Sequence, residues 1–328
     1  MMDWRTLVAL GALLAISAPA GADPATLRFG EIPSSAHGMT SLNLFIAERQ
    51  GFFARENVAL DIVPIAGGTG NMVAALDRGE VDVTQTATPY LIQAVLNGSQ
   101  AIAIAGEVGN PVYSLIAKAQ IQNFADLKGK LIGLSLPIDT ISISTRRLLA
   151  LKGVNDGDYR VKELVSSPAR AACLKNGECD AVPLGQPDDL VAVKEGYRRL
   201  GDTTEAVASF AFDVIAVRRD FAESHMPVVI GFVAALADAC RYIRDPARRA
   251  EVTKAVVDLT GAPEEIARAI LALYLDPDRG VVPKQAEIDL NGLAQVIVFM
   301  GEGGTIKPPL PSPAQFVDLN YLRAAGVK

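Results

Sequence analysis

Small polar residues gather in six short loops, and their types suit holding a solute by reversible hydrogen bonds. Ser34, Ser35 and His37 share the first loop. Gly67-Gly68-Thr69-Gly70 forms the second, where missing side chains let backbone N–H groups come close to a ligand. Thr86 and Thr88 stand in the third, Asp139 and Thr140 in the fourth, Ser166-Ser167-Pro168 in the fifth and Gln186 in the sixth. The hydroxyls and amides are neutral, which fits a small anion or polar molecule that must later be released. A helix after Gly70 would add partial positive charge at its N-terminus. Any one of these residues could equally cap a helix. As a set at six strand ends they point to ligand contact.

Four residues are weighed separately. His37 could donate to a carboxylate or sulfonate, or be a surface loop histidine; the residues leave both open. Asp139 would repel an anion unless the ligand also carries an amine or several hydroxyls, and is expected to cap the helix at 142–152. Arg170 could clamp a carboxylate with two hydrogen bonds, but a solvated surface arginine is the favoured expectation. His225, before Met226-Pro227, is expected at a cap or on the surface. Ser34 or Ser35 with His37 could form a nucleophile and base, yet no orienting acid is evident nearby in the sequence.

The elements that would position these loops form an internal repeat. Residues 75–90 read ALDRGEVDVTQTATPY and residues 173–188 read CLKNGECDAVPLGQPD. Leu76 and Leu174 close a helix, and Gly79 and Gly177 suit the left-handed position after it. Asp82 and Asp180 then open a short strand, and Pro89 and Pro187 start the next helix. Upstream, strands at 27–32 and 131–136 end at Pro33 and Pro137. Helices at 42–50 and 142–152 follow, then strands at 59–64 and 160–165. Two copies of strand–helix–strand–helix–strand imply two α/β lobes with mainly parallel sheets. Ligands bind beyond the carboxyl ends of such strands, so facing lobes would bring the six loops to one cleft. Apolar runs at 112–117 and 212–217 read as crossings between lobes. Helical stretches at 227–243, 246–260 and 263–275 belong to neither copy and are assigned to the first lobe. The organisation is then a signal peptide at 1–22, lobe 1 at 23–111, lobe 2 at 112–212, and a return strand with C-terminal helices at 213–328.

The chain has 328 residues, 21% charged, with a net charge of −6 and no basic stripe, so nucleic acid is not an expected partner. Arg5, an apolar run over 6–16 and Ala20-Gly21-Ala22 form an export signal cut after Ala22. The run is shorter than the ~20 residues a membrane span needs, and no later stretch reads as transmembrane. Cys173 and Cys179 flank Asn176-Gly177 and could pair or stay as small buried residues; Cys240 reads as core. None has metal-site spacing, and no cofactor is expected.

Ile46-Ala47-Glu48-Arg49-Gln50-Gly51-Phe52-Phe53-Ala54-Arg55-Glu56 resembles the A-x-x-x-G-F-F-x-x-E segment of nitrate/sulfonate/taurine-type substrate-binding proteins of ABC transporters. Residues 75–82, 127–133, 174–181 and 217–222 resemble further segments of that family, in order. The resemblance implies a type II periplasmic binding fold with a two-strand hinge. It also implies a periplasmic, monomeric, non-enzymatic protein that binds a small organic anion and docks on a membrane permease and its ATPase. Some relatives of this fold are desulfinases or pyrimidine synthases, but here the first loop has no Cys and the Cys-rich segment is absent. A ligand-dependent sensory module is the remaining alternative.

Overall fold

A computed structural model describes residues 24–207 and 209–327, so the expected export signal lies outside the described residues. Ten strands are described: β1 (Ala25–Glu31), β2 (Val58–Pro64), β3 (Val83–Ala87), β4 (Ala101–Val108), β5 (Ser114–Ala117), β6 (Leu131–Leu134), β7 (Arg160–Glu163), β8 (Ala181–Leu184), β9 (Arg198–Asp202) and β10 (Asp213–Arg218). They form two five-stranded sheets of matching plan, β2-β1-β3-β10-β4 and β7-β6-β8-β5-β9. In each, the three strands of one repeat run parallel. The fourth strand is antiparallel to both neighbours.

The repeated Gly-Glu-x-Asp segment has a structural cause. Gly79 and Gly177 take φ of 69° and 77°, which carry the chain out of the helices Gly70–Asp77 and Ser167–Lys175. The aspartates stand just before β3 and β8 rather than inside them. Asp82 donates its N–H to the Arg28 carbonyl at 2.8 Å and accepts the Arg28 N–H at 2.9 Å on its carboxylate. Asp180 does the same with Leu131, at 2.8 and 2.9 Å. Each aspartate therefore pins the first strand of its lobe to the third. Arg28 and Lys118 add ion pairs at 2.5 and 2.9 Å. Burial pushes both carboxyls up, but these hydrogen bonds and charges outweigh it and hold them below the usual range. Asp82→Ala or Asp180→Ala is expected to cost about 1–3 kcal/mol in chemical denaturation, mainly through the orphaned backbone N–H. Because the folded-state pKa values are depressed, this stability is present above about pH 4 and is lost as pH falls through them. The alanine variants should therefore show a weaker acid destabilisation than the parent.

The apolar runs at 112–117 and 212–217 become β5 and β10, which border the crossings. The crossings themselves are the segments 109–113 and 203–212, bonded to each other: Phe212 N–H reaches the Gly109 carbonyl at 2.8 Å, and Thr203 N–H the Tyr113 carbonyl at 2.9 Å. A C-terminal segment runs beside them. Gly106 donates to Ala286 at 2.8 Å, Gly109 to Val281 at 2.7 Å and Asn110 to Gly280 at 3.2 Å. Arg279 on that segment reaches Asp202, at the end of β9, at 2.9 Å.

The helices Met226–Arg244, Arg249–Thr260 and Glu264–Tyr274 pack with the first sheet into one core. Phe232 stacks on Phe53 and Phe29 at 5.3 and 6.2 Å, so the Phe pair of the Gly-Phe-Phe segment is core packing. Met226–Arg244 is long and apolar enough to cross a membrane, contrary to the expectation that no later stretch would be. Its apolar face is instead covered by this core, with Val229, Phe232, Val233 and Leu236 fully buried. An additional helix, Leu290–Glu302, packs through Leu293, Val296 and Ile297 onto Ile92. Cys173 and Cys179 form a disulfide, S–S 2.06 Å, and Cys240 is buried.

Candidate functional site

A cavity of about 300 Å³ lies between the two sheets, at the carboxyl ends of the repeat strands. The first lobe contributes Ser34, Ser35, His37, Gly68, Thr69 and Gln85; the second contributes Asp139, Ser166, Arg170 and Gln186. Tyr113, Phe212 and Asp213, where the crossings meet the sheets, complete the wall. The lobes touch at the rim, since a Cβ added at Gly68 would come within 2.9 Å of Val165. Arg147 pairs with Glu302, and Lys194 with Glu265 at 3.3 Å, so charges on facing lobes also meet outside the cavity.

The structure brings most of the expected residues together but sets three behind the wall. Thr86 and Thr88 are fully buried, and their hydroxyls donate to the Thr69 and Ala211 carbonyls at 3.4 and 2.5 Å. Thr140 is buried in the first turn of the helix Thr140–Leu151, and Ile141 faces the cavity instead. These three are framework rather than lining. Asp139 is both a cap and a lining residue: it accepts from Ile141 N–H and Ser135 Oγ at 2.9 Å each. Burial nevertheless raises its pKa. Gln186 donates from Nε2 to Asp189 at 3.0 Å, which turns its Oε1 elsewhere, and that oxygen has no hydrogen-bond partner.

Arg170 corrects the surface expectation. It is fully buried on the cavity wall. Its guanidinium donates to the carbonyls of Pro183 (3.0 Å), Leu164 (3.0 Å) and Val165 (3.1 Å) and to Ser167 Oγ (2.8 Å). It thereby ties the ends of β7 and β8 to the loop between them. Burial lowers its pKa, while Tyr113, Asp139 and Asp188 act in the opposite sense. Four of the five guanidinium N–H groups are engaged, and the charge is kept.

Two carboxyls escaped the sequence reading. Asp213, the first residue of β10, lines the cavity; one oxygen accepts from Gln85 Nε2 at 3.1 Å and the other has no partner. Burial first, then the nearby Asp139, push its pKa up to about 8. Behind it, on β4, Glu107 is buried with neither carboxyl oxygen partnered, and burial raises its pKa as well. A polar residue at the head of an apolar run was the available signal for Asp213.

Two mixed α/β sheets closing on a cavity at their strand ends define a two-lobed protein of the periplasmic binding fold, in its type II form. A family model described as NMT1/THI5 like matches residues 39–249, and the chain belongs to that family. A taurine-binding periplasmic protein of Escherichia coli strain K12 is 26% identical over 293 residues, covering 85% of this chain and 88% of that protein. Among solved structures, the periplasmic nitrate-binding protein NrtA from Synechocystis PCC 6803 matches with a TM-score of 0.75 at 15% identity, over 93% of this chain and 89% of that one. The periplasmic aliphatic sulphonate binding protein SsuA from Escherichia coli matches with a TM-score of 0.68 at 19% identity, over 90% and 92%.

Proposed function

We propose that this chain is the periplasmic solute-binding component of an ABC importer, which encloses a small organic anion between its lobes and delivers it to a membrane permease and ATPase. The observation that carries this is the interlobe cavity lined by loops of both repeats, a geometry suited to capture and release by hinge motion. Ser34, Ser35, His37, Gly68 and Thr69 form the first-lobe wall, and Asp139, Arg170 and Gln186 the second. The acidic end of the solute takes the remaining Arg170 N–H and the hydroxyl of Thr69, whose side chain makes no cap bond to its own helix. The protein binds without transforming its ligand and works as a monomer, after export and cleavage at Ala22. We set the lobe boundaries near 111 and 212, a reading the position of the crossings supports.

A thermal-shift screen of small carboxylates, sulfonates and nitrate tests the reading. A ligand present at about 100 times its Kd raises stability by about 2.7 kcal/mol, a displacement of several degrees. Thr69→Val should then cost about 1–3 kcal/mol of binding. A screen in which no anion moves the melting temperature removes the proposal.

A further inference from the structure

A stack of three side chains joins the lobes outside the cavity. Its middle layer is Phe299, on the helix Leu290–Glu302. On one side the buried Phe210 ring, from the crossing 203–212, stacks on it with centroids 5.7 Å apart. On the other side the Arg147 guanidinium stands 4.0 Å from its ring centre and pairs with Glu302, one turn further along the same helix. Arg147 belongs to the second lobe, on the helix Thr140–Leu151. Ile143, one turn earlier on the same face, packs against the apolar cluster that holds Phe210 and Leu293. A first-lobe helix, a crossing and a second-lobe helix therefore meet at one ring.

The stack is placed to respond to hinge motion. Phe210 is held at the hinge, because its N–H donates to Asn110 Oδ1 on the other crossing at 2.6 Å. Rotation of the lobes about the crossings changes where Arg147 stands over Phe299. The helix that carries Arg147 begins at Asp139 and Ile141 on the cavity wall, so a hold on Arg147 is a hold on that wall. The stack also differs from an ordinary surface ion pair, which contributes little. Lys194–Glu265 is of that ordinary kind, with Glu265 83% exposed. Arg147 is half-buried, enough for burial to lower its pKa, and a cation over an aromatic face gains as water is removed.

We propose that the Phe210–Phe299–Arg147 stack is a closure clasp, which holds the lobes in the closed arrangement and raises solute affinity without touching the solute. This rests on the receptor reading and adds a regulator of its site. Apparent affinity scales with the fraction of protein in the binding-competent form. Loosening the clasp lowers that fraction, so every solute loses affinity by the same factor, whatever its chemistry.

Distances between spin labels on the empty protein test this. Asp61→Cys on β2 and Arg160→Cys on β7 place the labels on exposed edge strands, the strands farthest from the crossings in the order of each sheet. Cys240 is buried and Cys173 and Cys179 are bonded to each other, so none of them takes label. Arg147→Met is expected to lower the closed-to-open ratio about 5- to 10-fold, seen as a second inter-label distance gaining population. Methionine keeps an aliphatic stem over the ring, so the melting temperature should stay near that of the parent and separate loss of the clasp from loss of fold. Phe299→Leu should shift the ratio in the same direction, and Glu265→Gln should leave it unchanged. Affinities for acetate, methanesulfonate and nitrate should fall in Arg147→Met by one common factor. Unchanged distances in both Arg147→Met and Phe299→Leu make the stack a static strut and overturn the proposal. A loss confined to one of the anions also overturns it, because Arg147 would then act on the solute rather than on the lobes. If no anion of the thermal-shift screen binds the parent, the receptor reading falls, and the label distances alone decide for or against the clasp.

Discussion

Arg170→Leu is expected to destabilise the protein by about 3–5 kcal/mol and to abolish high-affinity solute binding. The side chain is fully buried, and its removal leaves the carbonyls of Leu164, Val165 and Pro183 without their donor. It also removes a positive charge that acts on Asp139 and Asp188, both of which burial already pushes toward protonation. Breaking one side of a buried charged network costs more than the network contributes as a whole, because the partners stay buried. Lysine is not an adequate substitute. Its three donors radiate from a point, whereas the guanidinium fork reaches four acceptors on three segments at once. Arg170→Lys should therefore recover less than half of the loss. Chemical denaturation gives the energy, and hydrogen exchange gives the place: protection should fall first at 164–170 and 181–189. Uniform loss of protection over both lobes would show that Arg170 does not organise these loops locally.

The burial of Arg170 is encoded in the register of the repeat. A shift of 98 residues carries Asp82 onto Asp180 and Leu76 onto Leu174, and the same shift carries Met72 onto Arg170. Met72 is a buried cavity-lining residue of the first lobe, so the repeat register assigned Arg170 a buried position. Charge alone argued for the surface, because arginine is seldom fully buried unless paired. The repeat made both sheets and their common order legible, since helix-ending glycines and strand-pinning aspartates act locally. The side of a strand was harder to read. In β3, Gln85 and Ala87 face the cavity and Thr84 and Thr86 face away, as the two-residue alternation of a pleated strand demands. Choosing threonines for their hydroxyls took the wrong face. The place of Asp213 on the cavity wall and of Glu107 behind it was harder to read, because β10 and β4 pair across more than 100 residues of chain.

The C-terminal segment beside the crossings carries the second large expectation. A Cβ at Gly109 would lie 2.1 Å from the Gly280 carbonyl oxygen, and one at Gly106 would lie 2.2 Å from that of Glu287. These contacts are with backbone, which cannot swing aside as a side chain does. Gly109→Ala must therefore push the 279–287 segment off the crossing. That loses the hydrogen bonds from Gly109 to Val281 and from Asn110 to Gly280, at 2.7 and 3.2 Å. It also moves Arg279 away from Asp202. Overpacking together with two orphaned backbone pairs is expected to cost about 3–5 kcal/mol. Gly153→Ala is the control. Gly153 has a left-handed φ of 79° but open space around the added methyl, so it should cost only about 1–2 kcal/mol of backbone preference. Equal losses in the two variants would mean that glycine is kept at 109 for its conformation rather than for close approach. A larger loss at Gly109, with exchange rising over 279–287, would establish that the hinge works as three segments, the two crossings and the C-terminal one. The crossings would then bend against a brace from the C-terminal region, whose Arg279 reaches the far lobe and gives that region a direct hold on closure.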